Sequence, residues 1–579
     1  MDAGRTQAGL PSWFRAAWPA ALAGLLLGLL ALGPGLGRGF LLSYDMVAVP
    51  GQPFTAATFG WGGELPRAVP SDAVTAAAAR VLPADIVQKL FLLAIFVLAA
   101  AGLATLLADQ HWLARLAGAV CYAWNPYVAE RLIIGQWALL LGYAGLPWVL
   151  AAVTRPAATW WRWAGRLALA LLPAAVGGFS AMCISALVAL PAAACARCWP
   201  GGAAPRSASP EDYPRSSRPP IAASRRTPDR REHACGAPRL AAALAVGLTL
   251  LVLLMLSLPW LVPALSRPVY TSPAGVAAFA ARADTPFGAL GSLLMLGGAW
   301  NAQTVPAGYG GALATPWLLF ALAALSAYLV LGRARWPGLT IAAAAGLAIA
   351  CIGLTSPGRA LLQTLIGAWP GFAVLRDGQQ FVAPLALAEA AGAGLGTAWL
   401  LRLRRPAALA DLRYLLAAIA VLAPVVLLPG LAWGAAGRLR PVQYPAGWLA
   451  ARQLIDADRA PGSALLLPWA AYRRFGWNHG EAVLDPWPQL LRRPVIFNDG
   501  VQVGSTRIPP EDAQARLLNA LITSGAPLSA RLRRAGVRFV IVDAGFGGRA
   551  GRYPFRGRLP GARVLLAGPG LVVYQLPSG

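Results

Sequence analysis

Apolar runs of about 20 residues recur along the first three quarters of this chain, separated by short breaks that carry arginine. An uncharged run of that length, wound as a helix, spans the hydrocarbon core of a bilayer. The pattern predicts crossings near 16–36, 88–108, 113–130, 136–153, 166–179, 181–197, 240–264, 312–332, 338–355, 381–401 and 414–435, about eleven in all. The pair between 166 and 197 turns on Gly177-Gly178-Phe179-Ser180, either a tight turn between two short helices or a bend within one long one. Two helices keep the alternation of sides consistent.

Beyond residue 436 the pattern changes in kind. Short apolar runs bounded by Gly or Pro, mostly rich in β-branched residues, occur at Ala464–Leu467, Val537–Val542, Val564–Leu566 and Leu571–Tyr574. They read as strands, with helices between them at Glu511–Ile522 and Pro527–Ala535. The expectation is a polytopic α-helical membrane domain over 1–436, followed by a compact α/β domain over 437–579. The latter carries no Rossmann glycine fingerprint and no P-loop.

Arginine placement orients the spans, because short cytoplasmic loops are enriched in positive charge. The segment 198–239 carries Arg206, Arg215, Arg218, Arg225, Arg226, Arg230, Arg231 and Arg239 among Pro, Ser and Ala, without apolar periodicity. It is expected to be a disordered cytoplasmic loop. Arg155 to Arg166, Arg333 with Arg335, and Arg402 to Arg413 mark the same side. The N-terminus is then cytoplasmic and its first span retained rather than cleaved. The first loop (37–87), the loops near 265–311 and 356–380, and the C-terminal domain all fall on the extracytoplasmic side.

Composition agrees with a membrane protein: 57% hydrophobic, 12% charged, mean hydropathy +0.57. The net charge of +26 is nearly all arginine, with Lys89 the only lysine, and much of it flanks spans. There it orients helices and meets anionic headgroups, so the partner is membrane and not nucleic acid. None of the six cysteines lies in 437–579, which excludes a disulfide framework there. Cys195 and Cys198, with His233 and Cys235 further on, have a zinc-like spacing, but small residues closing a span account for them better.

Four stretches carry candidate chemistry. Asp45, in Leu41-Leu42-Ser43-Tyr44-Asp45-Met46, is the first carboxylate after the first span, where charge is costly to bury and usually has a use. Glu64 and Asp72, further along the loop, read as solvated carboxylates. Trp124-Asn125-Pro126-Tyr127-Val128-Ala129-Glu130-Arg131 breaks a helix at membrane depth; it either lines a wet cavity or forms a capped hairpin with an internal Glu-Arg pair. Arg376, in Leu375-Arg376-Asp377-Gly378-Gln379-Gln380-Phe381, either grips a lipid phosphate through parallel hydrogen bonds or anchors the interface. Amides in Trp300-Asn301-Ala302-Gln303 suit sugar hydroxyls. Tyr472 to Gly480, with Trp477, Asn478 and His479, and then Asp485, mixes aromatic faces and polar groups as a carbohydrate surface does. His479 has no acid–nucleophile partner in sequence, so no hydrolytic triad is assigned.

With these residues in view, the chain resembles the GT-C glycosyltransferases, and most closely the membrane part of actinobacterial α-(1→3)-arabinofuranosyltransferase. The likeness rests on Ser43-Tyr44-Asp45, on the hairpin from Tyr122-Ala123-Trp124-Asn125-Pro126-Tyr127 to Leu146-Pro147-Trp148, on Leu375 to Phe381, and on Gly536 to Val542. It covers most of the chain through short motifs. The resemblance implies transfer of a sugar from a polyprenyl-phosphate donor to a cell-envelope glycan or lipid acceptor at the outer face of the cell membrane. It implies Asp45 as catalytic base, with Arg376 and Arg131 on the donor phosphate and Trp477, Asn478, His479 and Asp485 on the acceptor side. The paired Asp-Asp or Glu-Asp of other relatives is absent, so no metal ligand is named and a divalent metal stays open as the one cofactor. The rival expectation is a non-catalytic scaffold or a lipid or glycan transporter of envelope assembly. The absence of a clear internal repeat fits a transporter less well.

Overall fold

The computed structural model describes residues 12–61, 68–195, 237–266, 270–403, 410–504, 506–524, 526–545 and 557–577. Glu64 and residues 198–236 of the expected loop, with its second CxxC cysteine, His233 and Cys235, lie outside them, while 237–239 open the Ala237–Leu265 helix.

Six described helical segments are long and apolar enough to cross a membrane: Ala17–Leu36, Ala84–Leu106, Trp137–Thr154, Leu240–Leu265, Ala314–Leu331 and Gly378–Arg402. Pro337–Ile352 and Ser356–Ala368, bent by 96° at their junction, make a seventh if counted as one. The other expected crossings fall on helices that are shorter, broken or less apolar. The run 113–130 is cut at Asn125-Pro126 into Trp112–Ala123 and Pro126–Ile133, each too short alone. The run 166–197 is two helices, Trp160–Gly177 and Phe179–Ala194, separated at Gly178, whose φ of +77° suits glycine. A hydropathy window sees through such breaks because the residues flanking them stay apolar.

The helices pack closely through small residues, as membrane helices do when no hydrophobic force distinguishes neighbour from lipid. Ser12–Leu32 runs along Ala84–Leu106, and a Cβ on Gly24 would stand 2.5 Å from the Phe96 carbonyl oxygen. The Ala383–Arg402 helix is enclosed along almost its whole length, between Trp112–Ala123 and Ala314–Leu331. Leu240–Leu265 instead leaves Leu250, Leu251, Leu254 and Met255 exposed, a face made for lipid.

The C-terminal region adds a five-stranded sheet in the order β10-β11-β9-β3-β6. Its strands are β3 (Ser463–Leu467), β6 (Val495–Ile496), β9 (Val537–Asp543), β10 (Arg563–Ala567) and β11 (Leu571–Gln575). β3 pairs in parallel with β9 and β6, and β11 is antiparallel to β9 and β10. The two-residue alternation of the strands sorts their side chains. Leu465, Leu467, Val540 and Val542 meet Leu518, Ile522, Leu528 and Leu532 from Ala513–Thr523 and its neighbour Ser529–Arg534. Ala464, Leu466, Phe539 and Ile541 face the Ala446–Ala457 helix, with Trp448 and Ile455, and an aromatic group of Phe475 and Trp487.

Phe40, Leu42 and Val49 are buried in that same second layer. They belong to the loop that follows the first helix, so an N-terminal segment completes the C-terminal core. Strand pairing seals the join, because β1 (Phe40–Leu41) is antiparallel to β2 (Pro441–Val442).

Phe539→Ala removes a fully buried ring from the layer that joins the two parts of the chain. It should cost about 3–5 kcal/mol, read as a lowered unfolding midpoint of the detergent-solubilised protein.

Candidate functional site

Four separated segments converge at one end of the helical bundle: the first loop, residues 279–305, residues 370–382, and the C-terminal region. Asp45 sits where they meet. Ser43 and Met46 pair across a tight turn, and the Ser43 hydroxyl donates to the Ile133 carbonyl at 2.6 Å. The Asp45 amide donates to the Ile134 carbonyl at 3.0 Å. Behind the turn lies Gly135, at φ +86°; a Cβ there would collide with Met46 N and the Ser43 carbonyl. The turn therefore rests directly on glycine backbone.

The Asp45 carboxylate is held from two sides. Tyr472 Oη donates to Oδ1 at 2.5 Å, and Gln136 Nε2 lies 3.4 Å from Oδ2. Tyr472 opens β4 (Tyr472–Arg474), which forms a hairpin with β5 (Ala482–Leu484). Tyr44 joins this hairpin in parallel beside Val483, its amide donating to Ala482 O at 2.7 Å and its carbonyl accepting from Leu484 N at 2.8 Å. The segment bearing Asp45 is in effect a third strand of a C-terminal hairpin.

Gln136 leads inward to Arg131, whose side chain is fully buried. Arg131 Nη1 donates to Gln136 Oε1 at 2.5 Å and to Asp377 Oδ2 at 2.7 Å, while Nη2 donates to Asp377 Oδ1 at 3.0 Å. Its Nε donates to Gln379 Oε1 at 2.8 Å, an acceptor that Nη2 shares. The expected Glu130-Arg131 pairing is thus replaced by Arg131-Asp377. Glu130 turns the other way and accepts from Ala299 N at 3.0 Å.

The Asn-Pro break that delivers these residues is built from side-chain caps. Asn125 Oδ1 accepts from Val128 N at 3.1 Å, capping the Pro126–Ile133 helix, whose first position suits proline. Asn125 Nδ2 donates to the freed carbonyls of Cys121 at 3.0 Å and Tyr122 at 2.9 Å, and to Tyr143 Oη at 2.9 Å. Tyr122, Tyr127 and Tyr143 stack beside it, with centroids 4.3 and 5.0 Å apart. The hairpin is capped and packed, as in the second of the two expected alternatives, but without the internal Glu130-Arg131 pair.

Arg376 is committed elsewhere. Its Nη1 lies 3.0 Å from Glu511 Oε1, and its guanidinium sits 4.8 Å from the Phe279 ring centroid. It ties the 370–376 segment to the C-terminal region. Both arginines expected to hold phosphate therefore already face carboxylates.

Two other arginines stand near Tyr44, with no carboxylate partner for either among the described residues. Arg438 Nη1 donates to the carbonyls of Gln303 at 2.7 Å and Val305 at 3.3 Å. The exposed Arg474 donates to Gly480 O at 2.8 Å and reaches Gln303 Oε1 at 3.4 Å. Gln303 also accepts from Tyr44 Oη, and the Tyr44 and Tyr472 rings lie 6.2 Å apart. Burial pushes the Tyr44 phenol up, against the opposing pull of Asn301, Arg474 and Arg438. Arg438 carried no sequence signal, and Tyr472 and Arg474 read only as part of an aromatic stretch. Nothing local in the sequence announces that these residues meet a loop some 400 positions earlier.

The expected acceptor residues divide. Trp477 is half-buried against Tyr444, Trp448 and Phe475. Asn478 is buried and donates to Leu42 O at 3.4 Å and Glu481 O at 3.2 Å, stitching its turn to the first loop. Asp485 is buried 3.3 Å from Arg473 Nη1, and burial pushes its carboxyl up to about 6 despite that charge. His479 alone is exposed, at φ +53°, beside an open cleft lined by Trp433, Arg440 and Pro441. Among the described residues no three His, Cys, Asp or Glu side chains gather as a metal cradle. No step is therefore assigned to a divalent ion.

No family model matches the sequence, and no curated protein does. Among solved structures the chain is similar to the cryo-EM structure of arabinofuranosyltransferase AftD from mycobacteria. That match has a TM-score of 0.56 and 16% identity, covering 98% of this chain and 40% of that one. A mutant form of the same enzyme matches with a TM-score of 0.54 and 16% identity, over 98% and 42% of the respective chains. The oligosaccharyltransferase of Archaeoglobus fulgidus aligns at a TM-score of 0.38 and 12% identity, over 98% and 75%, too loosely to carry weight. The chain spans about two fifths of the length of the mycobacterial enzyme. What is shared is the fold.

Two outcomes follow from this geometry. Arg131→Leu strands Asp377 and should cost about 3–5 kcal/mol, the penalty of halving a buried ion pair, read as a lowered thermal midpoint. Asp72, accepting from Gln489 Nε2 at 3.1 Å, is raised by burial from 3.8 to about 7. The folded state therefore binds its proton more tightly than the unfolded chain, and stability falls as pH rises through that window. Asp72→Asn should flatten that slope and leave the protein more stable than the native chain above pH 7, measured by thermal unfolding across pH.

Proposed function

We propose that this chain is a membrane glycosyltransferase that takes a sugar from a polyprenyl-phosphate donor and delivers it to a cell-envelope glycan or lipid at the outer face of the cytoplasmic membrane. One observation carries the reading. Asp45, a carboxylate at the mouth of the bundle, is oriented by Tyr472 and Gln136, while Arg438 and Arg474 gather on Gln303, which accepts from the adjacent Tyr44. The fold shared with an arabinofuranosyltransferase supports the reaction class and makes arabinofuranose the first donor sugar to test.

In this reading Asp45 takes the proton of the acceptor hydroxyl as its oxygen bonds to the anomeric carbon, a general-base role worth about 10²–10⁴ in rate. The bond from that carbon to the phosphate oxygen breaks, and its electron pair leaves with the polyprenyl phosphate. Arg438 and Arg474 are placed to balance the charge that gathers on the leaving phosphate. Arg131 acts behind them, fixing Gln136, and Arg376 docks the C-terminal region through Glu511. His479 and the open edge of Trp477 would face the acceptor glycan, while Asn478 and Asp485 shape the loop that presents them. The topology that accompanies this reading keeps the N-terminus cytoplasmic, about eleven crossings with the short and broken helices included, and residues 437–579 as an extracytoplasmic α/β domain.

The test is sugar transfer by the full chain in lipid nanodiscs, with a polyprenyl-phosphoryl arabinofuranose donor and an arabinan oligosaccharide acceptor. Native protein should form the lengthened glycan, and Asp45→Asn should lose at least about a hundredfold in kcat. Undiminished transfer by the variant removes Asp45 as base. Failure of native protein to transfer from this and other polyprenyl-phosphate sugars favours the scaffold.

A further inference from the structure

Resting on the reading of Asp45 as the base, we propose that Tyr472 is its positioning residue, so that the C-terminal region is a working part of the transfer site as well as a holder of acceptor. The two residues lie far apart in sequence and meet through an extended join. Reading across the strands, Tyr472 of β4 stands opposite Leu484 of β5, and Leu484 N donates to the Tyr44 carbonyl at 2.8 Å. The pairing fixes the distance between the Tyr472 side chain and the residue after Tyr44. It leaves the phenol oxygen 2.5 Å from Asp45 Oδ1.

Tyr44 reinforces the alignment. Its φ of +44° is a left-handed conformation that costs a non-glycine residue energy, and such outliers persist where surroundings over-determine them. Here both neighbours are tied down: Ser43 by the Ile133 carbonyl and Asp45 by the Ile134 carbonyl. The backbone turn at Tyr44 lets the chain pair with β5 and still present Asp45 to both Tyr472 and Gln136. Between these two side-chain donors the phenol makes the short contact and the amide the long one, at 2.5 and 3.4 Å. The phenol therefore contributes more to holding the carboxylate.

Chemistry follows from the donor. A hydrogen bond given to a carboxylate favours its charged form, and the charged form is the one that accepts a proton from an incoming hydroxyl. A phenol suits this place because its aryl body is locked by the hairpin while only its O–H reaches the site. Among the polar groups that approach Asp45 are Tyr472 from β4 and Gln136 from the start of the Trp137–Thr154 helix, with Arg131 behind Gln136.

The experiment compares full-length native protein with Tyr472→Phe, which keeps the ring and removes the O–H, using the donor and acceptor named above. The variant should lose about tenfold to a hundredfold in kcat, keep its donor KM within about twofold, and unfold at the native temperature. The acidic limb of its pH–rate profile should move to higher pH. Carbodiimide labelling of Asp45 across pH, read by mass spectrometry, follows the same carboxyl without turnover, and its midpoint should rise in the variant. Unchanged kcat and pH profile in the variant, with native protein active, overturn the role of Tyr472 and leave Asp45 standing. A loss of activity accompanied by a lowered unfolding temperature and an unmoved pH profile makes the phenol merely structural and also overturns it. If native protein transfers nothing, the transferase reading fails, and an unmoved labelling midpoint then rejects the Tyr472 contact independently.

Discussion

A guanidinium enclosed by protein must have its charge answered and its donors matched, and at Arg131 both demands are met by residues from distant parts of the chain. Asp377 takes it in a two-point grip, Gln379 accepts from Nε and Nη2, and Gln136 accepts from Nη1. Satisfying that one side chain fixes the Pro126–Ile133 helix, the start of the Trp137–Thr154 helix and the 377–379 segment against one another. Gln136, oriented by this demand, reaches Asp45. A buried ion pair of this kind adds little net stability over an apolar replacement, but breaking it is costly, so the arrangement acts as a constraint on geometry.

A second constraint operates at the surface of the same assembly. The first loop donates Phe40, Leu42 and Val49 to the core beneath the five-stranded sheet, and Tyr44 to the β4–β5 hairpin. Arg376–Glu511 and Gln489–Asp72 pin the two parts of the chain further from the centre. The candidate base is thus braced from below by the helices and from above by the sheet.

Much of this was legible in the residues. The strands at Ala464, Val537, Val564 and Leu571 fall where short β-branched runs place them, because a two-residue period is a local property. The Asn-Pro break was legible for the same reason, since proline and an Asx cap act within a turn of helix. Asp45 stood out as a carboxylate at the end of a span. The fates of Arg131 and Arg376 were not visible, because a cation reads as available until the carboxylate that meets it is placed. Here Asp377 lies 246 positions away and Glu511 135. Where helices break was hidden for a different reason: hydropathy measures what surrounds a residue, not whether the helix continues through it. Tyr472 combined both difficulties, an aromatic in an aromatic stretch whose partner lies 427 positions away.

The burial of Phe40, Leu42 and Val49 under the C-terminal sheet also sets an order of events in the life of the chain. The loop bearing Asp45 precedes by some 400 residues or more the strands that give it shape, which run as far as Leu571–Gln575, so it is made well before them. Until those strands exist, the loop has no layer to pack against and Tyr44 no hairpin to join. A chain synthesised only as far as its helices therefore holds the Asp45 carboxylate on an unsupported loop, and the candidate site takes its shape only once the sheet has been made. Folding of the sheet and assembly of the candidate site are one event.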